Sequence, residues 1–236
     1  MHAPGLVAAA APLSPYRQPR SANSCRIERR CRPGTWPDQG SVSRLRDPGD
    51  SYLMHVLQRR AAVFLCALAV AGHANAQVVI SQVYGGGGNS GATFRSDFIE
   101  LHNIGSTSVG LDGWSVQYAS AAGSSWQVTP LAGTVPAGGY YLIKQADGSG
   151  GSVALPTPDA TGTLAMSGTA GKVALSNTVG ALSGTCPTGN ADLVGYGSTA
   201  SCAEGNAPTP APSNTLAVLR GNEGCTDTDN NAADFA

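Results

Sequence analysis

The run Asp227-Thr228-Asp229-Asn230-Asn231-Ala232-Ala233-Asp234 is the most ligand-like stretch of the chain. Asp227, Asp229 and Asn231 stand at positions 1, 3 and 5 of a calcium loop, the oxygen spacing that a flexible Ca²⁺ site uses. Position 6, where such a loop needs glycine, is Ala232, and no glutamate stands at position 12. The competing reading is an Asx-rich turn, in which the same oxygens cap backbone N–H groups. No cofactor is expected; calcium at these three residues is the one candidate, and it rests on an incomplete motif against which the Asx-rich turn is favoured.

The other reactive residue types are scattered. His102 is the only histidine after residue 76, and a single imidazole at a strand end is far more often packed or solvent-facing than reactive. Asp97 and Glu100 are three apart, which on a strand places them on opposite faces. Neither H-E-x-x-H nor G-x-S-x-G occurs, so no catalytic residue is assigned. Gly85-Gly86-Gly87-Gly88-Asn89-Ser90-Gly91 follows a strand-like run, as a phosphate loop would. It lacks the succeeding Lys-Ser/Thr pair and any helical pattern, and a flexible surface loop is expected there.

Six cysteines are present, of which Cys25, Cys31 and Cys66 precede residue 77. Cys186, Cys202 and Cys225 remain, with three possible pairings. The favoured one is Cys186–Cys202, closing a loop around Asp192–Tyr196 in an oxidising compartment, and the pairing of Cys225 stays open. No C-x-x-C occurs, so a metal–thiolate site is not expected.

These residues must be positioned by short strands. Val78–Tyr84 is a β-branched run suited to a first strand. Asp97–His102 and Trp114–Tyr118 flank the small-residue loop Ile104–Gly110. In the second of them Trp114, Val116 and Tyr118 share one face while Ser115 and Gln117 share the other, the alternation of a half-buried strand. Ser125–Thr129 alternates again, and Tyr140–Lys144 has a composition suited to burial on both faces. Thr161–Met166 and Lys172–Ser176 read as a hairpin, and Asp192–Tyr196 and Thr215–Arg220 complete about nine short strands. Such spacing, with turn signals between, marks an all-β sandwich or barrel. Trp114, Trp126, Tyr118, Tyr140 and Tyr141 fall on strands and read as core packing rather than a sugar platform.

The chain divides by composition. Residues 1–53 are rich in Arg, Pro and Ser and have little to bury. They read as a disordered tail or, better, as an upstream extension ahead of a true start at Met54. Residues 54–76 read as a signal peptide: Arg59-Arg60, an apolar run from Ala61 to Gly72, and Ala74-Asn75-Ala76 as the cleavage site. That run is too short to span a bilayer, which takes about 20 residues. The expectation is a secreted or periplasmic protein, cleaved after Ala76 and without a membrane anchor. Residues 77–236 would then be one sandwich domain.

Residues 1–76 carry a balance of +6, whereas 77–236 carry four Lys/Arg against eleven Asp/Glu, a balance of −7. Four scattered cations neutralise few phosphates, so nucleic-acid binding is not expected.

The segments Val79–Tyr84, Asp97-Phe98-Ile99-Glu100-Leu101-His102-Asn103 and Val109-Gly110-Leu111-Asp112-Gly113-Trp114 together resemble the start of the lamin tail domain. Its bacterial members carry a pattern close to I-S-E-V … D-F-I-E-L-x-N … V-x-L-x-G-W. Ile99, Glu100, Leu101, Gly113 and Trp114 carry the likeness, and the Pro136-x-Gly138 turn and Asp192–Tyr196 extend it, so that it covers roughly Val78 to Phe235. Gln82 departs from the pattern, standing where an acidic residue is frequent.

The resemblance implies an immunoglobulin-like β-sandwich of the bacterial secreted type. It also implies a non-catalytic module that serves in binding or structure, with an unidentified protein or surface as partner. In exported bacterial proteins the module often precedes a metal-dependent nuclease or phosphatase. The alternative expectation is therefore the N-terminal accessory part of such an extracellular enzyme.

Overall fold

The computed structural model describes residues 77–236. The expected upstream extension (1–53) and signal segment (54–76) lie outside the described residues. Eleven strands are present: β1 (Val78–Tyr84), β2 (Ser96–Asn103), β3 (Val109–Gly110), β4 (Ser115–Ser120), β5 (Gln127–Pro130), β6 (Thr134–Val135), β7 (Tyr140–Asp147), β8 (Ala160–Thr161), β9 (Gly171–Ser176), β10 (Asp192–Tyr196) and β11 (Val218–Leu219). Four of them are two residues long, and two of these, β3 and β6, are the excess over the nine expected. Two single turns follow, α1 (Gly221–Gly224) and α2 (Asn231–Asp234). No helix among the described residues is long and apolar enough to cross a membrane.

One sheet runs β11-β1-β2-β7-β8 and the other β10-β9-β4-β5, with β3-β6 as a small ribbon. Every pairing is antiparallel except β7 with β8. The chain is an all-β sandwich, as the strand spacing predicts. Its core is the inward-facing set of both sheets, including Ile80, Ile99, Leu101, Val116, Ile143 and Val173, none of them exposed. Hydrophobic burial of this kind stabilises by roughly 25 cal/mol per Å² of apolar surface. Ile99 and Leu101 are the inward pair of β2, which explains their weight in the family pattern. Gly113 supplies the positive φ (81°) at the third position of the turn closed by Trp114 N–H to Leu111 O, a position open to glycine at no steric cost. Trp114 then packs, partly buried, on the main core.

Four strand-level expectations change. The polar face of β4 is not solvent-facing: Ser115 and Gln117 are as buried as Val116. The loop 177–182 lies across them, with Ser115 Oγ donating to Thr178 O, Gln117 Nε2 to Gly180 O, and Leu182 N–H donating back to Gln117 Oε1. Trp126 sits beneath the same cover with Ala119, Ala174, Leu193 and Cys202, a second cluster outside the main core. Conversely β7 alternates between buried and half-buried positions instead of being buried on both faces.

The expected hairpin of Thr161–Met166 with Lys172–Ser176 does not form. Ala160–Thr161 runs parallel to β7, whereas β9 pairs with β4 and β10. The residues between them cross from one sheet to the other. Leu164 and Met166 remain buried in the crossing, with their N–H groups donated to the side chains of Gln145 and Asp97. The last expected strand, Thr215–Arg220, shrinks to β11 (Val218–Leu219).

The glycine run after β1 is close-packed rather than a loose surface loop. A Cβ on Gly87 would lie 2.0 Å from the Ser96 carbonyl carbon, and one on Gly88 2.2 Å from Gly148 Cα. Glycine is there because another backbone occupies the space of a side chain.

Candidate functional site

The densest set of ionisable side chains gathers where β1 and β10, from opposite sheets, approach each other along one flank of the sandwich. A register shift between Ile80 and Gln82 bulges β1 at Ser81. Such a bulge turns backbone groups away from the ladder. Here they are met by side chains: Ile80 N–H donates to Asp192 Oδ2, and Ile80 O accepts from Arg220 Nε. Asp192 opens β10, and Arg220 follows β11, with its own N–H on Ser81 O.

Arg220 is the hub. Its Nη2 donates to both oxygens of Asp192 at 3.0 and 2.8 Å, and its Nη1 to Asp227 Oδ1 at 2.8 Å and to Thr226 O at 3.2 Å. Asp234 Oδ2 lies 3.6 Å from Nη1, and the guanidinium stacks over Phe235 with 4.6 Å to the ring centroid. The arginine side chain is wholly out of solvent, and those of Asp192, Asp227 and Asp234 are at most 5% exposed. A buried arginine is tolerable only with its donors filled in this way.

Glu204 completes the group. Its Oε1 accepts from Leu193 N–H and its Oε2 from Asn231 Nδ2. Burial, with the Asp192 charge beside it, pushes its carboxyl up to about 8. Asp192 is pushed up by burial as well, against the opposing pull of Arg220. Four carboxyl groups thus face one guanidinium, and protonation of Glu204 relieves the excess negative charge. Asp192, Glu204 and Asp227 place oxygens within 4.8 Å of one another, but the positive charge among them is already that of Arg220.

The three calcium candidates have different surroundings. Asp227 pairs with Arg220, and Asp229 is exposed, with a left-handed backbone (φ 53°). Asn231 is buried and spends its amide on protein: Oδ1 accepts from Gly195 and Glu204 N–H groups, and Nδ2 donates to Leu193 O and Glu204. Asp234 caps the turn, accepting from Thr228 N–H, Thr228 Oγ1 and Asn230 N–H. Asn231 and Asp234 thus cap backbone N–H groups, as the competing reading of the run has it, whereas Asp227 is taken up by the arginine.

Elsewhere the expected residues fall into separate places. The Cys186–Cys202 disulfide is formed, with Cα atoms 5.2 Å apart. Beside this bridge, buried Lys172 donates to Gly123 O, Thr185 O and Ser201 Oγ, tying down the residues that precede both half-cystines. Glu100 accepts from Ser81 Oγ. Asp97 is held by the N–H groups of Gly87 and Met166, and burial raises its carboxyl to about 6. His102 is buried beneath α1 and stacked on Tyr140.

Arg220, Asp192, Glu204 and Asp234 were not singled out by the sequence. One signal was available: among only four cations after residue 76, Arg220 directly follows the apolar pair Val218-Leu219 at a strand end, an unusual place for a solvated charge.

The lamin tail domain family model matches residues 71–198, more than half of the chain. The match takes in β1 to β10 and stops short of Val78–Phe235, the span of the expected likeness; Arg220 and the C-terminal turn lie beyond it. Among solved structures the chain is similar to a DUF4876 family protein from Bacteroides thetaiotaomicron, at 14% identity and a TM-score of 0.44, over 68% of this chain and 70% of that one. No curated protein matches. With its strand pattern, its Gly113-Trp114 turn and the matched span, the chain belongs to the lamin tail domain family.

Proposed function

We propose that this protein is an exported, non-catalytic module that presents loops from a rigid sandwich to a protein or surface partner. The observation carrying this reading is that, in the richest ionisable cluster among the described residues, the central arginine is closed off from solvent and only Glu204 and Asp227 at the margin are half-buried. Arg220 and Asp234 have no side-chain exposure, and every carboxylate around them is engaged with protein donors. A group that acts on substrate needs access to it. The cluster instead fastens the last part of the chain to β1 and β10. Two other buried ionisable groups, Asp97 and Lys172, likewise hold backbone.

Export rests on the signal-like residues 54–76 and on the Cys186–Cys202 disulfide, a bond that persists in oxidising compartments. The −7 balance of residues 77–236 disfavours a nucleic-acid partner. N-terminal sequencing of the protein recovered from the culture medium should begin at Gln77. The purified protein should leave DNA and phosphate esters intact with Mg²⁺, Mn²⁺ or Ca²⁺ supplied. Metal-dependent turnover, abolished by removal of one of its carboxylates, would overturn the non-catalytic reading.

A further inference from the structure

His102 is 1% exposed, and neither of its ring nitrogens has a hydrogen-bond partner. Its ring lies flat against Tyr140, with centroids 4.2 Å apart and planes 9° apart. Over it passes α1, close enough that a Cβ on Gly224 would stand 3.0 Å from His102 Nδ1. That turn is wound left-handed, through Asn222 (φ 52°, ψ 50°), Glu223 (φ 55°, ψ 35°) and Gly224 (φ 84°). Glycine and asparagine accept such a backbone readily; glutamate does not. The structure therefore sets a strained turn directly on a buried imidazole whose nitrogens make no well-aligned hydrogen bond, though the Gly224 and Gly138 carbonyls lie near it.

The turn has fixed ends. Arg220 precedes it and binds Thr226 O and Asp227 beyond it. Between these ends it is held to the sheet by the Tyr140 hydroxyl donating to Glu223 O at 2.7 Å. Opening can therefore be local, leaving the Arg220 cluster and the sandwich in place.

We propose that Gly221–Gly224 is an acid-released flap: it is closed over neutral His102 and opens when the ring takes up a second proton. A buried imidazolium without aligned acceptors is costly, and hydration after opening removes that cost. The strain in Glu223 favours the same direction. Opening uncovers the His102–Tyr140 ring pair on the outer face of the sheet.

The groups facing His102 are few. Glu100 lies two residues away on the same face of β2, and burial raises its carboxyl. Tyr140 comes from β7 and Glu223 from the flap. From β1 come Val79 and Ser81, and from the preceding turn the Gly138 carbonyl; none of these is charged. Burial is the largest influence on the imidazole and lowers its basicity. The Gly224 and Gly138 carbonyls and the Glu223 charge oppose this without prevailing. The sign follows: closure is complete above the ordinary histidine value near 6.5. It weakens as pH falls below that value and levels off beneath the depressed value of the closed state.

The test is amide exchange on the full chain by NMR, corrected for intrinsic rate, between pH 7.5 and 4.5. Gly224 and Cys225 should lose at least ten-fold protection, while Val173 and Ala174 in β9 keep theirs. The His102 ring should titrate below 6.5. In His102→Phe, which keeps a ring on Tyr140 but cannot be protonated, the flap should stay closed throughout. Unchanged protection at pH 4.5, equal loss in β9, or the same acid response in His102→Phe would each overturn the proposal. Should that variant not fold, the wild-type titration decides, and a value at or above 6.5 refutes it.

Discussion

Arg220 and Asp192 meet through two hydrogen bonds of 3.0 and 2.8 Å in a place that solvent does not reach, and the pair joins an edge of each sheet. Asp192 belongs to β10, while Arg220 grips the Ile80 carbonyl of β1. The C-terminal stretch is thereby secured by charge and hydrogen bonding rather than by a long strand, since β11 contributes only Val218 and Leu219.

Removing one partner leaves the other buried and uncompensated. Asp192→Ala also strands the Ile80 N–H, and it should cost about 3–5 kcal/mol in urea unfolding. Lys144→Ala breaks an exposed ion pair with Asp147, an aspartate that is 59% exposed and keeps the Ser96 hydroxyl as donor. That change should leave the unfolding midpoint where it was. Equal effects of the two substitutions would contradict the assigned role of the buried pair.

Stability should fall on the alkaline side. Glu204 keeps its proton in the folded protein up to about 8, through burial first and the Asp192 charge second, whereas the unfolded chain releases it near 4.5. The folded state thus binds the extra proton. The resulting stability is full below about 4.5 and is lost as pH rises to about 8, with a slope of roughly one proton. Asp97 acts in the same sense between 3.8 and about 6, while His102 acts in the opposite one. Because Asp192 and Glu204 titrate together, the proton belongs to the pair. Glu204→Gln should flatten the limb between pH 6 and 8; an unaltered slope in denaturant melts would assign the proton elsewhere.

Two glycines separate backbone strain from close packing. Gly91 has φ 78° and nothing within 4 Å of the point a Cβ would occupy, so Gly91→Ala should cost only the left-handed penalty, about 1 kcal/mol. Gly88 has φ 67° and a Gly148 backbone 2.2 Å from the same point. Gly88→Ala should cost about 3 kcal/mol or more, because backbone must move. Chemical denaturation of both variants measures the difference.

Much of the fold was legible because strands declare themselves by period. Ile99 and Leu101 alternate with Glu100, and Gly113 before Trp114 marks a turn that glycine suits. What escaped depended on distant segments. Ser115 and Gln117 alternate like a wet face, and only the fold brings the 177–182 loop over them. Four adjacent glycines look the same whether they are loose or packed against Gly148 and Ser96. At the site, the Asp/Asn run drew the eye to Asp227, Asp229 and Asn231. Its organising residue, Arg220, and that residue's partner Asp192 are 28 positions apart, with no local pattern to join them.

β10 is the outermost strand of its sheet, and an outermost strand is an invitation to foreign chains. Its outward polar groups are answered from within. Leu193 N–H goes to Glu204, Leu193 O and Gly195 N–H go to the Asn231 amide, and Gly195 O takes the Thr209 N–H. A passing strand finds no open ladder to extend along Leu193–Gly195, so this border resists fibril-like stacking. The tail that supplies Asn231 guards the molecule's solubility as well as its shape.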